Sequence, residues 1–108
     1  MNEQRLKGLL GLSVRAGQAV FGEDTCRRLI LSGRCGLLLL DGTAGANTGK
    51  RFRELCRRTE TPCAFLPQEL ILLATGKDNM VMALKEGTFA DQAADLVLTD
   101  SETDTERH

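Results

Sequence analysis

The chain predicts an α/β protein, a three-layer α/β/α sandwich around a four-stranded sheet. Three observations carry that expectation. Helical and strand-like periodicities alternate from one end of the sequence to the other. One apolar run, "LLLL" at 37–40, has no polar face and so suits a central strand covered from both sides. A length of 108 residues is enough for one modest core and too short for two.

The elements follow in order. Leu6, Leu9, Leu10 and Val14 recur at helical spacing, so residues 3–16 form an amphipathic helix that ends near Gly17. "AVF" at 19–21 is a short strand broken by Gly22. Glu23 and Asp24 then lead a second helix, where carboxylates suit the positive helix end. Its buried stripe is Cys26, Leu29 and Ile30, and Gly33 closes it. After the strand at 37–40, Asn47 or Thr48 caps a third helix with Phe52, Leu55 and Cys56 inward and Arg51, Arg57 and Arg58 outward. Pro62 precedes the strand "CAFL". Pro67 fits the first turn of a fourth helix, which Gly76 terminates. "MVMAL" at 80–84 is the last strand, and Thr88, with Asp91 as a capping-box partner, opens the last helix. The folded domain is expected over 1–98. Residues 99–108, "TDSETDTERH", are acidic and without apolar anchors, as in a disordered tail.

Composition narrows the function classes. No apolar run approaches the ~20 residues of a membrane span, and the polar start does not resemble a signal peptide, so cytoplasmic residence is the expectation. Cys26, Cys35, Cys56 and Cys63 are scattered, with no C-x-x-C pair and no zinc-ligand spacing; they read as buried free thiols, with no metal. The net charge of −1 hides an asymmetry: residues 1–58 carry a net +6 and residues 59–108 a net −7. Such polarity suggests a basic surface for an anionic partner, with Arg5, Lys7, Arg15, Arg27, Arg28 and Arg34 in or beside the first two helices.

"LLLLDGTAGANTGKRF" invites comparison with a nucleotide-binding phosphate loop, and fails it. The motif needs G-x-x-x-x-G-K-[ST]. The first glycine position is Ala44, and the residue after Lys50 is Arg51, which has no hydroxyl for magnesium. Covalent catalysis lacks a base, because the sole histidine is His108, the final residue. Asp24, Asp41 and Asp78 sit beside glycines, where turn chemistry and capping account for them. No dinucleotide fingerprint appears, so no cofactor is expected. A binding domain, and not an enzyme, leads.

The run "LLGLSVRAGQAVFGEDTCRRLILSGRCGLLLLDGTAGANT" resembles the bacterial YlxQ-type branch of the kink-turn-binding ribosomal protein family, the superfamily of archaeal-type "seven-Ae" and "thirty-e" large-subunit proteins. Cys56, Pro62, Leu70, "GK" at 76–77 and "MVMALKEGTFA" at 80–90 agree in order, so the likeness spans about residues 6–97. The resemblance implies a mixed-sheet sandwich that binds structured RNA containing a kink-turn, an internal loop bent around tandem sheared G·A pairs, in a ribosome-associated setting. It also implies the contact residues. Gly22, Glu23, Asp24, Thr25 and Arg28 would meet the G·A pairs, and the loop and strand start at Asn79, Met80, Val81 and Met82 would cover bulged nucleotides. Asp24 and Arg28, four apart, share a helix face and are placed to pair. Where this chain has Asp24-Thr25, tight kink-turn binders usually have Asn-Glu, and they carry lysine at the Arg28 position. Two other readings stay open: a ribosome-associated structural protein that has lost kink-turn reading, and a stand-alone substrate-recognition domain of the RNA methyltransferase type.

Overall fold

The structure, a computed structural model, describes residues 2–106, with side-chain surroundings through Leu98. The elements are α1 (Glu3–Arg15), β1 (Ala19–Phe21), α2 (Glu23–Leu31), β2 (Cys35–Asp41), α3 (Ala46–Thr59), β3 (Cys63–Leu66), α4 (Leu70–Thr75), β4 (Val81–Lys85) and α5 (Thr88–Glu106). The four strands form one mixed sheet in the order β1-β4-β2-β3. β4 runs antiparallel to both β1 and β2, and β2 runs parallel to β3.

β2 explains the layering. Successive side chains of a strand point to opposite faces. Leu37 and Leu39 therefore join Leu6, Leu10, Leu70, Ile71, Ala90 and Ala93 in one cluster, under α1, α4 and α5. Leu38 and Leu40 join Cys26, Ile30, Phe52, Leu55 and Cys56 in the other, under α2 and α3. All four leucines are fully buried, each contributing about 1.5–3 kcal/mol by leaving water. The expected sandwich is what the chain forms, with its sheet covered on both faces.

Several boundaries differ from expectation. α3 starts at Ala46 behind Gly45, with no side-chain cap, so Asn47 and Thr48 lie inside its first turn. α4 starts at Leu70, not Pro67, because Glu69 adopts a left-handed φ of 66° and the Leu70 amide closes a turn onto the Pro67 carbonyl at 3.1 Å. β4 begins at Val81, one residue late, leaving Met80 in the loop. Thr88 is the first residue of α5, and the Asp91 amide donates to the Gly87 carbonyl rather than to a capping side chain. α5 runs to Glu106; the side chains from Thr99 onward and residues 107–108, on which the expectation of a disordered tail over 99–108 falls, lie outside the described residues. No helix among the described residues is long and apolar enough to cross a membrane.

Candidate functional site

One end of the sheet gathers the residues singled out from the sequence. β1 ends at Phe21, and Gly22 turns the chain into α2 with φ 91° and ψ 154°. L side chains rarely adopt that φ, so the turn requires glycine. Its amide donates to the Val81 carbonyl at 3.2 Å, which ties the start of α2 to the start of β4. Gly22 has no side chain to cap the helix. The first amides of α2 are thus left without a side-chain acceptor, as at helix starts that receive anions.

Around that start, Glu23, Asp24 and Arg28 are exposed and Thr25 is half-buried. Glu23 is already engaged: its carboxylate accepts from Arg51 at 3.1 Å and from the Thr48 hydroxyl at 3.4 Å, both on α3. Asp24 pairs with Arg27 at 3.6 Å, not with Arg28. Arg28 and Thr25 instead line a cleft of about 380 Å³ with Val20 and Arg34. The loop ahead of β4 closes the site. The Asp41 amide donates to the Met80 carbonyl at 2.8 Å, and the Thr43 hydroxyl lies 3.6 Å from the Met80 sulfur. Met80 is 45 % exposed, and Asn79 is half-buried beside it. Val81 and Met82 are elsewhere. They belong to β4, and their side chains are buried in opposite faces of the core, so neither reaches the surface. Of these four residues, Asn79 and Met80 alone have side chains open to solvent.

Asp41 frames the site without facing outward. Its carboxylate accepts from the Thr43 amide at 2.7 Å, from the Thr43 hydroxyl, and from the Glu69 amide at 2.9 Å. Burial would push this carboxyl up, but the three hydrogen bonds outweigh burial and hold it below the usual carboxylate range. The turn role expected of Asp41 is the one it fills. Sequence spacing offered no sign of Thr48 or Arg51, which meet Glu23 from more than twenty residues away.

The cations are distributed differently from expectation. α1 and α2 lie on opposite faces of the sheet, so the cations of the first two helices are divided between its two layers. The basic layer is α2 with α3, which together carry seven lysines and arginines against three carboxylates. A groove of about 430 Å³ lined by Arg27, Lys50, Arg51 and Arg58 runs over Phe52, with Arg27 6.0 Å from the ring centre. Gly49-Lys50 is part of α3, and the Gly49 amide is spent on the Gly45 carbonyl at 2.9 Å, leaving no phosphate loop.

The four thiols are free. Cys26, Cys35 and Cys56 are buried as expected, whereas Cys63 is only half-buried. Burial pushes Cys26 up to about 12 and Cys35 up to about 11, which keeps both protonated at neutral pH. The neighbouring Cys56 and Cys63 thiols act on each other, which raises Cys56 and lowers Cys63. Among the described residues no group of three or more His, Cys, Asp or Glu side chains is arranged to hold a metal ion.

Comparison with known proteins adds a lineage. No family model matches the chain. A protein of Enterococcus faecium named RNA-binding protein YlxQ is 28% identical over 97 residues, covering 89% of this chain and 94% of the relative. A protein of Bacillus subtilis (strain 168) with the same name is 32% identical over 91 residues, covering 82% and 91%. A solved structure from Bacillus halodurans C, described as a protein with unknown function, is 28% identical with a TM-score of 0.80, covering 84% of this chain and 94% of that one. The 15.5kD RNA binding protein of Giardia lamblia superposes with a TM-score of 0.74 over 89% of this chain and 87% of its own, at 11% identity, a likeness of fold alone.

Proposed function

This chain belongs to the YlxQ family, and from that premise we propose that it is a non-catalytic, cytoplasmic RNA-binding protein that takes structured RNA of the kink-turn type in a ribosome-associated setting. The names of both relatives support the RNA part. The uncapped start of α2 supports the choice of structured RNA: it is pinned at Gly22 to β4, with the apolar side chain of Met80 beside it. In this reading the amides after Gly22 donate to base or phosphate oxygens, and Asp24 accepts from a guanine amino group. Thr25 adds a short polar contact, Arg28 meets phosphate, and Met80 with Asn79 covers an unstacked nucleotide. RNA offers splayed bases to such a surface, and shape with hydrogen bonding reads them better than groove insertion would.

One observation favours a second reading, general attraction to RNA without kink-turn specificity. Both acidic residues at the helix start are already in ion pairs, Glu23 with Arg51 and Asp24 with Arg27. Gel-shift titration separates the two. The ligands are a kink-turn RNA and the same RNA with its G·A pairs replaced by Watson–Crick pairs. Arg28→Ala should weaken both by a similar factor, since a phosphate contact carries no sequence information. Asp24→Ala should weaken the kink-turn RNA selectively, by roughly 1–3 kcal/mol, the range of a base-edge contact in duplexes. If wild type binds the two RNAs equally and Asp24→Ala changes neither, the kink-turn assignment fails.

A further inference from the structure

A second cleft opens on the far side of α3, between that helix and β3. It has a volume of about 650 Å³, and Lys50, Arg53, Glu54, Arg57 and Phe65 line it. β3 is an edge strand of the sheet. Its Ala64 and Leu66 pack with the α1, α4 and α5 cluster, so strand alternation sends Phe65 toward α3. There the ring lies against Gly49, where an added Cβ would sit 3.3 Å from it. The ring thus rests closely on the helix at a position that carries no side chain. Phe65 nonetheless stays 45 % exposed. The Arg53 guanidinium lies 6.0 Å from its centre. Arg57 is paired with Glu54, while Lys50 and Arg53 make no ion pair among the described residues.

An aromatic ring supported from behind, open in front and flanked by cations is the arrangement on which unpaired bases stack while their phosphates are neutralised. The neighbouring wall is Ala44 and Gly45 of the loop that follows Thr43, with Ala46 at the start of α3. Thr43 in turn touches Met80 of the site described above. The two surfaces are therefore continuous around the start of α3.

We infer that the α3–β3 cleft is an accessory site for a single-stranded RNA segment, one base of which stacks on Phe65 while its phosphates lie along Lys50, Arg53 and Arg57. This rests on the RNA-binding reading and extends it: structured RNA occupies the α2 start, and a flanking unpaired strand runs past Ala44–Ala46 into the cleft. Charge selects this occupant, because the cleft presents three cations against one carboxylate.

The test uses a kink-turn RNA with and without an oligouridylate extension, and the free oligouridylate, each titrated by fluorescence anisotropy. The extension should tighten binding to wild type. Phe65→Ala should remove that gain and weaken the free oligouridylate about tenfold, the size of one base–aromatic stack. Phe65→Trp should preserve it, and the unextended RNA should bind both variants like wild type. Arg53→Ala, an exposed change that leaves the ring in place, should reduce the gain and flatten its salt dependence. Oligouridylate carrying 5-bromouracil should photocross-link to Phe65. Equal binding of the extended RNA by wild type, Phe65→Ala and Arg53→Ala overturns the inference while the α2 site stands. No binding of any RNA by wild type overturns both. A dimer in sedimentation that protects Phe65 from cross-linking would assign the β3 edge to a second copy and overturn the inference as well.

Discussion

The two helical layers cover the same sheet with similar success and opposite character. α1, α4 and α5 bury a cluster made of Leu, Ile, Met, Ala and Val. Through Leu98, those three helices carry three cations and three carboxylates. α2 and α3 bury a smaller cluster that includes Phe52 and three cysteines, and present seven cations against three carboxylates. Both layers are needed to cover β2, whose leucines alternate between them. Only one carries an excess of positive charge. Burial decides the fold in both layers, whereas the outward residues, which contribute little to packing, decide what the surface can meet.

Core truncations should break the comparison furthest. Phe52→Ala should cost about 3–5 kcal/mol and Leu10→Ala about 2–5 kcal/mol in denaturant unfolding, since both side chains are fully buried. The distinction lies in binding: Leu10→Ala should leave the RNA affinity of the folded fraction unchanged. Phe52→Ala should weaken it, because Phe52 floors the α2–α3 groove under Arg27. Equal losses of affinity would place the binding surface outside the α2–α3 layer.

A smaller effect comes from Asp41, where the layers meet. It holds the loop into α3 through Thr43 and the turn into α4 through Glu69. Asp41→Asn places an amide donor against one of those donors and should cost about 1–3 kcal/mol. The pH dependence has a definite sign. The folded carboxyl lies below its unfolded value of about 3.9, so its stabilisation is complete above that value and is lost as pH falls through the folded value. Urea midpoints of wild type should drop across this acid window more steeply than those of Asp41→Asn. Parallel curves would show that Asp41 titrates alike folded and unfolded.

The mildest test is of surface charge alone. Arg5→Ala with Arg15→Ala, on α1, should leave RNA binding within about twofold of wild type. Arg51→Ala with Arg58→Ala should lower it severalfold and reduce the salt slope by roughly one to two. Stability should move by less than about 1 kcal/mol in either pair, because these residues are exposed. A matching loss from the α1 pair would mean that RNA wraps both layers.

Much of this was legible in the residues. Leu37–Leu40 announced a doubly covered strand because an apolar run without a polar face has no other economical place in a chain of this length. Gly22 announced a turn, and the acidic pair after it a helix start, because both are local chemistry. The side of the sheet on which each helix lies was not legible. Amphipathic spacing tells which face of α1 is buried and says nothing of which face of β2 receives it. Val81 and Met82 were misplaced for a related reason. An apolar segment at a loop–strand junction reads the same whether it covers a ligand or fills a core, and only pairing with Leu39 and Leu40 decides. Glu23–Arg51 joins two helices across the intervening strand, a contact that no local pattern encodes.

The strand order also sets a schedule. Among the described residues β1 has β4 as its only neighbour in the sheet, and β4 is the last of the four strands in sequence. β2 can pair with β3 long before that, but β2 and β1 do not touch. The carbonyl that anchors Gly22 belongs to Val81 and cannot be there earlier than β4 itself. A chain made from its N-terminus therefore has α2 early and a positioned α2 late, since pairings this distant in sequence close slowly. A nascent chain that lacks β4 presents a basic helix without the turn and loop that would give it shape. The site proposed at the α2 start is therefore incomplete until β4 has been made.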